Sequence, residues 1–197
     1  MGRPIYQKDW DKLFEFIVAE LMEEFIEKVS GVYKVHEKLC RVDLAGWIES
    51  ETFYAEVRRR TINYGVYEDY RIGHAKMIDL RLRARDCISM LVLILNDCIA
   101  FKRVSEDEKF KVVPSFGRNN KRDNYEREPS CVIPWSDIKP WLQPSQIPDT
   151  ATFAERGFER FREVKGTEGE ELSKRQLVNQ MPDSIKSHWL FKGWVDS

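Results

Sequence analysis

Two short segments, Val42-Asp43-Leu44 and Tyr54-Ala55-Glu56-Val57-Arg58, set two acids and a cation in stretches of strand character. Successive side chains of a strand alternate faces, so Glu56 and Arg58 share one face while Ala55 and Val57 point the other way, toward a core. Asp43, on the neighbouring strand, can come alongside Glu56. Two carboxylates converging on one point repel each other unless a cation lies between them, and hard oxygen ligands of this kind suit Mg²⁺ or Mn²⁺. A metal held in that way polarises a phosphate and activates water.

Several elements must position these groups. Asp43 and Glu56 belong to two expected strands, about 39–48 and 52–59, joined through Glu49-Ser50-Glu51 as a hairpin. Before them, Trp10, Leu13, Phe14, Ile17, Leu21, Phe25 and Val29 recur at helical steps, which predicts a helix over 9–29 that Asp9 can cap and Ser30-Gly31 can stop. Its acids Glu20, Glu23, Glu24 and Glu27 read as a solvated outer face. After a turn at Asn63-Tyr64-Gly65, a basic helix is expected over about 73–85, then a second pair of strands, 90–95 and 98–104, turning at Asn96-Asp97. Residues 114–129 read as a polar, basic loop, and 131–134 as a short returning strand.

Three prolines between 140 and 148 mark a boundary. The expected organisation is a main domain over 1–140, a linker over 141–150 and a helical C-terminal appendage over 151–197. Within the appendage a helix is expected over 153–164, and Ser173 with Gln176 resembles a capping box. Trp189, Phe191 and Trp194 form an aromatic tail.

The 197 residues suffice for one sizeable core. Hydrophobic residues at 42% and aromatics at 12% can fill it, which excludes a disordered chain. Lys plus Arg, 32, nearly balance Asp plus Glu, 33, so any surface for a polyanion must be local. Cys40, Cys87, Cys98 and Cys131 form no CxxC pair and no signal peptide is evident, the pattern of reduced thiols in a cytosol. No apolar run is long enough to span a bilayer, and Tyr6 stands where a myristoylation signal has Ser or Thr.

The acid-bearing strands resemble the PD-(D/E)xK nuclease superfamily, whose signature is an acid on one strand followed by a hydrophobic strand bearing Glu-x-Lys. More narrowly, the stretch from Asp43 through Tyr67 and Lys76 to Gly117-Arg118 looks like small phage and bacterial nuclease-like proteins of that superfamily. The resemblance covers residues 10 to 140. It implies an α+β, restriction-endonuclease-like fold with a central mixed sheet flanked by helices, and metal-dependent hydrolysis of nucleic acid with Mg²⁺ or Mn²⁺ held by Asp43 and Glu56. An acid on the first helix, Glu20 or Glu24, would add a further ligand. Nucleic acid is the implied partner, DNA first, in the cytoplasm of a bacterial or phage-infected cell, with no membrane and with a homo-oligomer left open.

One position departs from the family pattern. Where it calls for lysine this chain has Arg58, which stays protonated and can steady developing charge but cannot accept a proton. Either Lys76, on the following helix, supplies the missing ammonium, or catalysis has been lost and the fold serves as a nucleic-acid-binding or assembly module. Arg58-Arg59-Arg60, with Arg71, Lys76, Arg81, Arg83 and Arg85 and then Arg118, Lys121 and Arg122, could line a path for phosphates. A third expectation is an interaction protein acting through the aromatic tail. Other chemistry lacks support: His36 and Cys40 have no second pair to complete a zinc site, and neither GxSxG nor a P-loop occurs.

Overall fold

The computed structural model describes residues 9–35, 42–114, 129–167 and 172–196. Along the chain these form α1 (Asp9–Phe25), β1 (Val29–Lys34), β2 (Leu44–Ile48), β3 (Glu51–Arg59), β4 (Asp69–Gly73), α2 (His74–Arg83), β5 (Ile88–Ile94), β6 (Ile99–Val104), β7 (Lys111–Val113), β8 (Ser130–Pro134), β9 (Lys139–Leu142), α3 (Thr150–Thr167), α4 (Lys174–Gln180) and α5 (Asp183–Lys186). Six strands make a mixed sheet in the order β1-β2-β3-β5-β6-β9, and three make a small antiparallel sheet, β4-β8-β7. The class is α+β, as expected. Among the described residues no helix is long and apolar enough to cross a membrane.

Two compact units share the chain, one of residues 1–34, 46–50 and 142–197, the other of 35–45 and 51–141. In the second unit β3 and β5 run parallel, with Glu56 opposite Leu91 and Arg58 opposite Leu93. Parallel neighbours need a crossover, and β4 with α2 provides it. The amphipathic α2 buries Met77 and Leu80 against Leu91, Leu93, Tyr70, Ile72 and Ile133, so one core fills the space between the strands, the helix and the small sheet. The tight turn after β5 places Asp97 to accept the Tyr64 N–H at 3.0 Å, tying the loop before β4 to the sheet.

In the first unit α1 packs on α3. Gly157 permits the close approach, since a Cβ there would lie 2.8 Å from Ile17 Cγ1 and 2.9 Å from its backbone nitrogen. Of the acids read as solvated, Glu24 and Glu27 are exposed, Glu24 pairing with Arg156 of α3 at 3.5 Å, whereas Glu20 and Glu23 meet Arg160 of α3 at 2.8 Å and 3.4 Å. Helical periodicity shows that a face is polar but not whether a complementary polar face will cover it. Of the aromatic tail, Phe191 and Trp194 are buried, the Trp194 indole donating to Glu155 Oε2 at 2.5 Å, and Trp189 is half-buried. The helices after the prolines share a compact unit with α1.

Candidate active site

The pleat of β3 decides which side chains meet. Phe53, Ala55 and Val57 are buried on one face, and Tyr54, Glu56 and Arg58 lie on the other, beneath α2. Asp43 precedes β2 and is pinned to β3 by backbone and side chain alike. Its N–H donates to the Ala55 carbonyl at 3.0 Å, and its Oδ2 accepts from the Val57 N–H at 2.8 Å. That second bond holds the carboxylate beside the peptide that follows Glu56.

Glu56 has a side-chain exposure of 0%, yet both Arg58 Nη2 and Lys76 Nζ bond to its Oε1. Lys76 lies in the first turn of α2, where the helix dipole disfavours a cation. Its pairing with Glu56 offsets that local preference, a sign that the position answers to the tertiary site. The second oxygen, Glu56 Oε2, is buried without a hydrogen-bond partner. Burial, with the Asp43 charge beside it, pushes the Glu56 carboxyl up to about 7, while Arg58 and Lys76 pull in the opposite direction. A carboxyl in that range exchanges its proton at neutral pH and can serve as acid or base.

A hard divalent cation fits this donor set. Mg²⁺ is commonly held by one or two carboxylates, with water and substrate phosphate completing the octahedron. Asp43 and the unpartnered Glu56 Oε2 supply that number. Among the described residues no group of three or more His, Cys, Asp and Glu side chains comes together, so the remaining ligands would be water and phosphate. Lys76 and Arg58, with side chains 29% and 30% exposed, are reachable from solvent and can face an anion entering the site.

The structure thus brings Arg58 and Lys76 onto Glu56, with Asp43 held beside the next peptide. Arg60 joins them, since its N–H bonds to the Ile94 carbonyl at 2.9 Å and so carries the β3–β5 pairing one step further. Arg59 falls on the opposite face from Glu56 by strand alternation. Glu20 is engaged by Arg160 within the other unit. Arg118, Lys121 and Arg122 lie outside the described residues, as do His36 and Cys40. Several further basic side chains have local partners: Arg71 pairs with Asp69 at 3.2 Å, Arg81 donates to the Glu106 carbonyl, and Arg85 pairs with the Glu106 carboxylate at 2.9 Å. Arg83 lies over the Tyr54 ring at 4.4 Å.

Tyr70 was not foreseen. It is 3% exposed on β4, its hydroxyl has no hydrogen-bond partner, and the Arg60 guanidinium sits 5.6 Å from its ring centroid. The alternation of Tyr70 and Ile72 along β4 signals their burial, but nothing in the sequence says where the phenol would end.

No protein-family model matches the chain, and no curated protein matches its sequence. Fold and site together define an α+β protein with a buried carboxylate, a second carboxylate beside it and two cations bound to it.

Proposed function

We propose that this chain is a divalent-metal-dependent hydrolase of phosphodiester bonds in nucleic acid, working at Asp43 and Glu56. The observation that carries this is the ion pair between Lys76 and Glu56. It brings to the carboxylate, from the helix, the ammonium that the PD-(D/E)xK signature has on the strand and that Arg58 replaces here. Asp43 and Glu56 would hold Mg²⁺ or Mn²⁺, which would supply Lewis acidity toward a phosphate oxygen and lower the pKa of water. Lys76 and Arg58 stabilise negative charge developing on the phosphate from preset positions. Glu56, whose carboxyl is raised by burial and by Asp43, would bind the metal in its ionised form, so metal binding would release a proton near neutral pH. With this activity go a nucleic-acid partner, DNA first, and a cytosolic place in a bacterial or phage-infected cell.

One observation favours a second function, that of a catalytically inactive nucleic-acid-binding or assembly protein. Glu56 already has two cationic partners, which compensate its charge without a metal. Cleavage of single- and double-stranded DNA and RNA, assayed with Mg²⁺, Mn²⁺ or EDTA, separates the two. In an enzyme, Glu56→Gln, Asp43→Asn and Lys76→Ala each lose roughly 10²-fold or more in rate, while Arg58→Lys stays active. Equal rates for wild type and Glu56→Gln would remove the carboxylate from the chemistry. A wild-type protein that binds nucleic acid but is inert with either metal is the inactive module.

A further inference from the structure

Beside the acid pair lies a second group of side chains that the hydrolytic chemistry does not use. Tyr70 is almost wholly buried, its ring packed at 5.9 Å from that of Trp135 and within the same apolar cluster as Leu91 and Leu93. These two leucines are the register partners of Glu56 and Arg58, so Tyr70 faces the side of β3 that carries the site. A buried hydroxyl without a partner forfeits its hydration, and folded proteins seldom leave one so unless water or a ligand completes it. The cover on this phenol is Arg60, an exposed side chain lying over the ring with its guanidinium 5.6 Å from the centroid. Its guanidinium also donates a long hydrogen bond, 3.3 Å, to the neighbouring Arg59 carbonyl. Arg58, two residues earlier on the same face, spends one nitrogen on Glu56 and, with five N–H donors on a guanidinium, retains others. Burial, with the Glu56 charge, holds the Tyr70 hydroxyl above its ordinary value, against the charges of Arg60 and Arg58 and the approach of the Arg60 guanidinium to the hydroxyl itself.

We propose that Tyr70, Arg60 and Arg58 form a seat for a phosphate oxyanion next to the Asp43–Glu56 pair. Arg60 swings from the ring to the anion, and the phenol so uncovered donates to a phosphate oxygen while Arg58 donates from the strand. A neutral phenol donor and guanidinium cations suit a tetrahedral anion, and the Glu56 carboxylate, of the same sign as the anion, keeps it from sinking deeper into the core. The source of the phosphate rests on the function proposed above, under which it is a backbone phosphate flanking the one that is cleaved. Tyr70, Arg60 and Arg58 then position the strand.

The test is binding in EDTA, so that no metal and no turnover enter. A fluorescent single-stranded oligodeoxynucleotide is titrated by anisotropy, and inorganic phosphate is titrated as its competitor. Tyr70→Phe, which removes one oxygen and keeps the ring, and Arg60→Gln, an exposed change, are compared with wild type and Glu56→Gln after circular dichroism has shown each to be folded. The expected result is that each of the two seat variants weakens phosphate competition roughly tenfold, the scale of one hydrogen bond to a charged group, and that Glu56→Gln does not. Arg60→Gln should also lessen the salt dependence of oligonucleotide binding by about one counterion. If phosphate binding responds to Tyr70→Phe but oligonucleotide binding does not, the seat stands as a site for free phosphate and the nucleic-acid function fails. If both variants bind phosphate and oligonucleotide as wild type does, or wild type binds neither, the seat is refuted. The cleavage comparison with Glu56→Gln stands or falls separately.

Discussion

Replacing Glu56 by glutamine should stabilise the fold, and by an amount that depends on pH. The folded carboxyl lies at about 7 against an ordinary 4.5, raised first by burial and then by Asp43. An acid raised on folding favours the native state in its protonated form. Its stabilisation is complete below 4.5, declines as the pH rises, and is gone above 7. At 1.36 kcal/mol per pH unit, that interval corresponds to roughly 3 kcal/mol. Glutamine resembles the protonated acid and carries no such dependence. The variant and the wild type should therefore be about equally stable at pH 4, and the variant more stable by up to roughly 3 kcal/mol at pH 8. Loss of the two ion pairs takes little from this figure, because Arg58 and Lys76 are 30% and 29% exposed and regain water when released. Urea denaturation in EDTA at a series of pH values measures the difference, in which titrations common to both proteins cancel. A difference that does not change with pH, or a wild type more stable than the variant at pH 8, would refute the burial argument. Mg²⁺, by binding the ionised pair, should narrow the gap at pH 8.

Two further outcomes test the packing within each unit. Gly31 has φ +57°, and a Cβ there would lie 2.7 Å from the Trp47 ring. Gly31→Ala should therefore destabilise by at least roughly 1–2 kcal/mol, the scale for an L residue held left-handed, and should shift the Trp47 indole resonance. Tyr64 directs its hydroxyl to the Ile138 carbonyl at 2.5 Å and the Trp135 carbonyl at 3.1 Å. One proton serves one acceptor at a time, so Tyr64→Phe should cost about 1–1.5 kcal/mol in denaturant unfolding. An unchanged midpoint would show that water satisfies both carbonyls once the hydroxyl is gone.

What the sequence by itself determined is the local part, where one element's own pattern is sufficient. The three- and four-residue apolar spacing predicts α1, alternation around Asp43 and Glu56 predicts β2 and β3 and their shared hairpin, and the turn at Asn96-Asp97 predicts the β5–β6 pair. The Ser173–Gln176 capping box is present as its spacing suggests. Where one signal serves two purposes, sequence reading erred. Ser30 and Gly31, taken as a helix stop, lie inside β1, because α1 already ends at Phe25 and positive φ at Lys28 and Gly31 lets the chain turn and pair. Pro140, taken as part of a linker, lies within β9, an edge strand of the sheet, where a residue without an N–H is tolerated. The site itself was half legible. Asp43, Glu56 and Arg58 could be found because strand alternation is a nearest-neighbour property. Only the tertiary structure decided that Lys76, twenty residues beyond Glu56, ends on the same carboxylate, that Glu20 is taken by Arg160, and that Tyr70 faces the cluster. These depend on the crossover that sets β5 parallel to β3 beneath α2, and on which surfaces exclude water around each charge, neither of which any single stretch of residues encodes.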